Sequence, residues 1–169
     1  MDNEFEKDKV IIRPITYEDK DILFEWANDE LCRRNSFNTN MISYDEHCQW
    51  FEKKMKTDDC KMYIIEVDEK SVGQIRLEKR DGNEIEIGYF IEYQYRGRGY
   101  GKKLLEFAEG LLRVKNRNEI NLVGKVKYDN VYSRNCFVKL EYEEKCGDEY
   151  VIYTKRIRDD SNEKNINKD

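Results

Sequence analysis

The sequence predicts a mixed α/β (α+β) fold, in which a mostly antiparallel sheet contains one pair of parallel strands. Residues 62–67 and 71–77 are strand-like and are separated by a short turn, which predicts an antiparallel hairpin. Farther along, residues 84–92 have the pattern of a strand, 104–112 that of an amphipathic helix and 119–126 that of another strand. This strand–helix–strand order predicts parallel pairing with a right-handed crossover.

The first half of the chain predicts one strand and two helices ahead of the hairpin. Residues 10–14 form the strand, and Pro14 places its end at an edge or a turn. Thr16 is the predicted N-cap of the first helix, and Ser43 opens a capping box for the second. Residues 28–42 have no regular pattern and are either part of a binding wall or an ordinary connection between helices.

After the parallel pair, the chain predicts a short helix over residues 130–140 and a closing hairpin over residues 142–146 and 150–157. No repeat or linker divides the sequence, so we expect a single domain over residues 1–157. Residues 158–169 are polar and are predicted to be a disordered tail.

The composition limits the kinds of partner. The chain has 169 residues, of which 40% are charged and 38% hydrophobic, enough for one core beneath a very polar surface. The formal net charge of −5 argues against general affinity for nucleic acid or for an anionic membrane. The basic residues between Arg96 and Lys103 stand out against this background and indicate a local anion site.

The cysteines, the histidine and the N-terminus indicate the compartment. Five widely spaced cysteines without a Cys-x-x-Cys pair, and one histidine, make a metal site or a disulfide framework unexpected. The N-terminus is acidic, and no apolar run approaches the ~18 residues that a membrane span requires. We therefore expect a soluble cytoplasmic protein, monomeric or homodimeric, that binds neither membranes nor metals.

Residues 93–103 join the predicted strand at 84–92 to the amphipathic helix. The segment alternates glycines with other residues and is rich in positive charge: Gly97, Gly99 and Gly101, with Arg96, Arg98, Lys102 and Lys103. A strand, a glycine-rich turn and a helix place unpaired backbone N–H groups at a helix N-terminus, where the helix dipole favours an anion. The alternative is a simple β–α turn with solvated charges.

The spacing of these glycines excludes two common phosphate-binding loops. A P-loop requires Gly-x-x-x-x-Gly-Lys-[Ser/Thr], but only three residues separate Gly97 from Gly101, and Lys103 follows Lys102. A dinucleotide-binding loop requires Gly-x-Gly-x-x-Gly, and the third glycine is missing from either starting point. What remains is Arg96-x-x-Gly99-x-Gly101, a small cradle for pyrophosphate.

This pattern resembles the motif Arg/Gln-x-x-Gly-x-Gly/Ala of the Gcn5-related N-acetyltransferase (GNAT) superfamily, which binds the pyrophosphate of acetyl-CoA. A second family motif is matched by Asn130, Ser133, Phe137, Lys139 and Tyr142. The resemblance covers roughly residues 10–157. It implies the GNAT fold, a mixed and mostly antiparallel sheet with a splayed central pair of parallel strands and helices on both faces.

The resemblance implies that acetyl-CoA is the cosubstrate and lies in the gap between the splayed strands. Its thioester would lie near the backbone of residues 89–91. The cofactor-binding residues implied are Tyr89, Phe90, Ile91, Arg96, Gly97, Arg98, Gly99, Tyr100, Gly101, Lys102, Asn130 and Phe137.

Phe137 is a departure from the family pattern. Many relatives have a Tyr at this position, which protonates the leaving thiolate, and Phe cannot do so. Another group or water then supplies the proton, or the thiolate leaves unaided. Phe137 itself is expected to pack against the cofactor.

The front half of the chain resembles the GNAT enzymes that acetylate amino groups on nucleotide-linked sugars, including those of pseudaminic- and legionaminic-acid-type synthesis. The residues that carry this resemblance are Trp26-Ala27-Asn28, Arg33-Arg34, Ser36-Phe37-Asn38, Ile42, Glu46-His47 and Trp50-Phe51. It implies a small-molecule amine as acceptor, bound by Arg33, Ser36, Asn38 and His47. For the arginines and Asn38, solvated surface is the alternative to a phosphate contact.

The candidate catalytic bases are His47, Glu86 and Glu92, of which Glu86 and His47 are predicted to be catalytic. A sugar amine should have a pKa well below the ~10.4 of lysine, so the base has little work to do and removal of the proton through water suffices. The alternative for His47 is a helix residue packed beside Trp50 and Phe51. For Glu86 the alternative is a cross-strand charge pair with Arg76 or Lys127.

Two other functions stay open. One is an acetyltransferase for protein N-termini or small amines, although such acceptors favour an acidic wall over Arg33-Arg34. The other is a module that binds acetyl-CoA without turnover, which Phe137 and the lack of an obvious base allow.

Overall fold

The computed structural model describes residues 8–115 and 119–158, which form a sheet with helices on both faces. The strands are β1 Val10–Pro14, β2 Cys60–Val67, β3 Lys70–Lys79, β4 Glu84–Ile91, β5 Ile120–Lys127, β6 Glu143–Cys146 and β7 Tyr150–Ile157. The helices are α1 Lys20–Ala27, α2 Glu30–Asn35, α3 Tyr44–Lys56, α4 Tyr100–Lys115 and α5 Val131–Lys139. The predicted tail, apart from Arg158, lies outside the described residues.

The seven strands are ordered β1-β2-β3-β4-β5-β7-β6. Every neighbouring pair is antiparallel except β4 and β5, which are parallel and are connected through α4. This arrangement confirms the predicted fold class and the predicted parallel pair.

The parallel strands separate part-way along their length. Their pairing ends at Ile87 and Gly124, a point that we call the fork. Beyond it, β4 stays paired with β3 as far as Ile91, and β5 stays paired with β7 as far as Lys127. A gap between the ends of β4 and β5, here called the wedge, therefore opens in the middle of the sheet.

The two faces of the sheet carry different helices. On one face, which we call the α4 face, the apolar stripe of α4 packs on the sheet with Leu104, Leu105, Ala108 and Leu112. On the other, the α3 face, α1 and α3 pack with Leu23, Trp26 and Phe51 on residues that include Phe90. Successive strand residues point to opposite faces. Ile87, Tyr89 and Ile91 therefore face α4, and Glu86, Gly88 and Phe90 face α3.

Two local features differ from the sequence expectations. Residues 28–42 contain the helix α2, whose N-cap Asp29 accepts a hydrogen bond from the Cys32 N–H at 2.9 Å. None of the residues of α2 is fully buried. The sequence therefore lacks the apolar periodicity from which this helix could have been predicted. Thr16 caps a turn of 3₁₀ helix at Tyr17–Asp19, and α1 begins only at Lys20.

Candidate active site

The glycine-rich loop has an open backbone. Gly97 and Gly99 adopt φ angles of +75° and +86°, which glycine reaches without the steric cost that a side chain would add. A β-carbon built on either of these two residues would have no atom within 4 Å. The backbone of the loop is therefore accessible for close approach by a ligand.

The loop leads directly into the N-terminus of α4. Lys103 N donates to Gly99 O at 3.0 Å, the first bond of the helical pattern, so the preceding N–H groups of Gly101 and Lys102 have no partner within the helix. The guanidinium of Arg98 lies 5.4 Å from the ring centre of Tyr95, and Lys102 is half-exposed. Open backbone, helix dipole and flanking cations together fit a pyrophosphate.

Arg96 links three parts of the site. Its Nε donates to the carbonyl of Ile91 at 2.7 Å, and its Nη2 lies 3.7 Å from the carboxylate of Asp29. Its Nη1 is buried and has no hydrogen-bond partner within the described part of the chain. Arg96 therefore anchors the loop to the end of β4 and to α2, and it keeps one unused donor.

The backbone of β4 presents peptide groups to the wedge. Asn121 N donates to Asn83 O on the β5 side, and Glu92 N donates to Val72 O on the β3 side. Because peptide groups alternate along a strand, those of Tyr89 and Ile91 point towards β5, which has moved away at this level. The N–H groups of both residues thus face the wedge. The peptide group of Phe90 points the other way, towards β3, and the ring of Phe90 packs on Trp26.

The wedge is bounded by α5 on the α4 face. Asn130 caps this helix and accepts a hydrogen bond from the Ser133 N–H at 3.3 Å. The hydroxyl of Tyr89 donates to Ser133 Oγ at 3.0 Å, which links β4 to α5. Gly101 leaves room for the Tyr89 ring, since a β-carbon there would lie 3.1 Å from Tyr89 Cε2. Burial raises the pKa of the Tyr89 hydroxyl, which therefore stays protonated.

Phe137 lies at the fork and belongs to the core. It is 2% exposed, and its ring stacks on Tyr153 and meets Tyr142 edge-on, each at a centroid distance of 5.0 Å. The tip of the ring covers Gly124. The contact with the cofactor that the sequence predicts would involve the remaining edge of this ring, towards Tyr89.

Glu86 lies next to the fork on the α3 face. Its Oε2 accepts a hydrogen bond from Arg80 Nε at 3.1 Å and lies 3.5 Å from Lys125 Nζ. Burial by itself raises the pKa of Glu86, but the hydrogen bond from Arg80 and the charges of Lys125 and Arg80 outweigh it, so the pKa is lowered. Glu86 is thus an ionised carboxylate. Its charge partners are Arg80 and Lys125, whereas the alternative to a catalytic role had named Arg76 or Lys127.

Arg76 completes the charged group at the fork. Arg76 is on β3, directly opposite Gly88 of β4. A β-carbon built at Gly88 would be 3.6 Å from Arg76 Nη2. Together, Arg76, Glu86 and Lys125 are called the fork cluster. Sequence reasoning did not assign Arg76 or Lys125 to a binding site. Arg76 lies on β3 and Lys125 on β5, and the alternation of side chains along each strand could have suggested that both point to one face of the sheet. Only the strand register shows that both lie beside the fork.

His47 lies away from the wedge. It is 2% exposed, and its Nε2 donates to the carbonyl of Lys20 at 2.8 Å, which joins α3 to α1. Its ring packs beside Phe24, Trp50 and Phe51. This environment supports the packing role, and His47 has no part in the mechanism proposed below.

The predicted acceptor residues Arg33, Ser36 and Asn38 are brought together in a segment that comprises the last turn of α2 and the residues after it, 33–40. Arg33 donates to Ser36 Oγ at 3.1 Å and to the carbonyl of Asn38 at 3.2 Å. Lys127 Nζ donates to the carbonyl of Arg34 at 2.9 Å, so the segment is joined to β5 on the α3 face. The Nη1 and Nη2 donors of Arg33 therefore stabilise the segment itself, whereas its buried Nε has no hydrogen-bond partner in the described part of the chain.

The sequence profile described as "Acetyltransferase (GNAT) domain" matches residues 9–143, which run from β1 to the first residue of β6 and include the wedge and the glycine-rich loop. The chain belongs to the GNAT acetyltransferase family. It is an acetyl-CoA-dependent N-acetyltransferase of the GNAT type, so the alternative of a binding module without turnover is not supported. A comparison with curated protein sequences gives no match.

Solved structures share this GNAT fold at low sequence identity. A domain from Methanocaldococcus jannaschii is 21% identical, with a TM-score of 0.78 over 89% of this chain and 100% of that one. Spermidine N-acetyltransferase from Vibrio cholerae, in complex with CoA and spermine, is 14% identical, with a TM-score of 0.74 over 88% and 94%. RimL, a ribosomal L7/L12 α-N-protein acetyltransferase in complex with CoA, is 15% identical, with a TM-score of 0.76 over 89% and 96%. At these identities the likeness shows the fold.

Over residues 8–115 and 119–158, no helix is long and apolar enough to cross a bilayer. Over the same ranges, no group of three or more His, Cys, Asp or Glu side chains is placed to hold a metal ion.

Proposed function

We propose that this GNAT enzyme acetylates the primary amine of a nucleotide-linked amino sugar. The observation that carries the proposal is the charge of the α3 face around the fork. Within residues 8–115 and 119–158, four cations, Arg76, Arg80, Lys54 and Lys125, lie in ion pairs with only two carboxylates, Glu78 and Glu86. This excess of positive charge favours an acceptor that carries an anionic group beside its amine.

The cofactor fits the loop and the wedge. Acetyl-CoA supplies the acetyl group as a thioester. The N–H groups at the start of α4 and the open backbone at Gly97 and Gly99 are suited to hold its pyrophosphate, with Arg98 and Lys102 beside it. The N–H groups of Tyr89 and Ile91 are suited to orient the group that enters the wedge.

Proton transfer in the proposed reaction uses Glu86 and water. The neutral amine attacks the thioester carbonyl, and the proton that the amine loses passes to solvent through a water hydrogen-bonded to Glu86. A carboxylate with a lowered pKa is a weak base, but it stabilises the positive charge that develops on the attacking nitrogen. Phe137 has no proton to give, so water is also the proposed donor to the leaving thiolate.

The competing acceptors are cations or neutral amines. Polyamines and peptide N-termini are acetylated by the spermidine acetyltransferase and by RimL, which share the fold. A polyamine that entered the α3 face of this chain would meet a surplus of arginine and lysine, which disfavours its binding.

The test is an assay of thiol release from acetyl-CoA with a panel of amines. The panel contains UDP-linked amino sugars, the corresponding free amino sugars, spermidine, an aminoglycoside and peptides with free N-termini. We expect the highest kcat/KM with a UDP-linked amino sugar, and no release with its N-acetylated form. Turnover of peptides or spermidine without turnover of any UDP-linked amino sugar would overturn the proposal.

A further inference from the structure

The guanidinium of Arg76 is positioned at the fork by three contacts. One face lies 5.5 Å from the ring centre of Trp50 on α3. Its Nε lies 3.4 Å from the carboxylate of Glu78, and its Nη2 lies over Gly88, the first residue of β4 beyond the parallel pairing. Because Gly88 has no side chain, the guanidinium lies against the bare strand at the mouth of the wedge.

The terminal nitrogens of Arg76 are available to a ligand. In the described part of the chain, its only polar contact is the one from Nε to Glu78. Glu78 is itself shared with Lys54 and Arg80, so it does not neutralise Arg76 alone. The side chain is 32% exposed, which leaves the paired Nη donors open to the α3 face. Such a planar fork matches the oxygen atoms of a phosphate or carboxylate.

The spacing along β4 places this anion site beside the proposed base. Gly88 and Glu86 lie on the same face of the strand, and residues two apart on a strand are separated by about 7 Å. Lys125 lies across the fork and supplies a second cation next to Glu86. An acceptor whose anionic group contacts Arg76 would thus present an amine attached a few bonds away to the carboxylate of Glu86.

We propose that Arg76 determines acceptor specificity by binding an anionic phosphate of the acceptor at the fork, with Lys125 as its second cation. This inference rests on the proposed function and assigns it to a particular residue. Trp50 holds the guanidinium in place, and Glu78 fixes its Nε, so that the Nη edge faces the ligand. The residue positions the acceptor and takes no part in the proton transfer.

The experiment compares the parent enzyme with Arg76→Gln, Arg76→Lys and a matched control, Arg156→Gln. Arg156 is also an arginine paired with a glutamate, at 3.1 Å from Glu119, but it is exposed and lies on β7 opposite Asn121, away from the fork at Gly124. Two measurements are made on each folded variant. The first is KM and kcat for a UDP-linked amino sugar and for the corresponding free amino sugar. The second is calorimetric binding of UDP in the presence of saturating CoA, which occupies the pyrophosphate cradle.

For Arg76→Gln, we expect KM for the UDP-linked sugar to rise about 10- to 100-fold with a smaller change in kcat. KM for the free sugar should stay unchanged, and UDP binding should be lost. Arg76→Lys should be intermediate, and Arg156→Gln should match the parent. Unchanged UDP binding in Arg76→Gln, or no UDP binding by the parent, would overturn the inference whatever the acceptor is. Absence of turnover of the UDP-linked sugar by the parent would overturn only the proposed function.

Discussion

The ring of Phe137 lies against the backbone of Gly124, so closely that a β-carbon at position 124 would be 2.3 Å from Phe137 Cζ. Gly124 is also the last residue of β5 that pairs with β4. The absence of a side chain on the strand thus allows an aromatic ring to fill the base of the wedge on the α4 face, where the ring stacks on Tyr153.

Gly124→Ala should therefore destabilise the protein. Phe137 is 2% exposed and cannot move without disturbing its stack on Tyr153, so we expect a loss of about 1–3 kcal/mol in the free energy of unfolding. Urea denaturation measures it. The control is Gly110→Ala in α4, where a β-carbon meets nothing within 4 Å and a gain of about 0.5–1 kcal/mol is expected. Equal stability of Gly124→Ala and the parent would contradict the contact.

Gly99→Glu should abolish binding of CoA, because it adds bulk and negative charge where the pyrophosphate would lie. Since Gly99 has a positive φ of +86°, any side chain also adds backbone strain. Gly82→Glu controls for that strain, because Gly82 has a φ of +68° in the remote β3–β4 turn. Calorimetric titration with CoA measures the affinity. Wild-type affinity in Gly99→Glu would remove the assignment of the cradle.

Glu86→Gln should lower kcat/KM for the acceptor by about 100-fold while leaving the affinity for CoA unchanged, since it removes the charge that assists proton transfer. Glu84→Gln is the matched control, an exposed glutamate on the same face of β4 and two residues from Glu86. Steady-state kinetics with both substrates varied separates the two effects. A loss of less than about fivefold would exclude Glu86 as the group that assists the amine.

The pH dependence of kcat/KM should follow the acceptor. The pKa of Glu86 is lowered, so its carboxylate is ionised at any pH above the ordinary glutamate pKa of about 4.3. Its titration therefore does not appear in the rate profile near neutral pH. The rate should rise with pH as the ammonium group of the acceptor loses its proton. The measurement is the pH–rate profile for two amines of different pKa. The rising limbs of the two profiles should differ in pH by the difference between the two amine pKa values. A limb common to both amines would instead indicate a titrating group of the enzyme.

His47→Leu should reduce stability more than activity. The substitution removes the donor to the carbonyl of Lys20 within a buried helix contact, which costs about 1–3 kcal/mol. At a temperature where the variant is fully folded, kcat and KM should equal those of the parent. A variant of normal stability that has lost its activity would restore His47 as a candidate base.

The sequence was sufficient where function depends on local backbone. Glycines at 97 and 99 and the helix that follows them are adjacent in the chain, so the open backbone of this loop could be predicted from the local sequence. The same holds for the capping box at Ser43 and for the hairpin turn at Gly82, whose φ is positive. Such features need only short-range sterics and hydrogen bonds, which a few consecutive residues determine.

The tertiary structure decided which residues that are distant in the sequence contact one another. Strand register gave Glu86 the partners Arg80 and Lys125 and placed Arg76 over Gly88, and the packing of α3 on α1 buried His47 against the carbonyl of Lys20. None of these contacts follows from periodicity, since a one-residue shift of a strand exchanges its faces. The sequence by itself thus determined the fold class and the open backbone of the glycine-rich loop. Long-range packing decided which charges converge at the fork, because pairing across strands joins residues far apart in the chain.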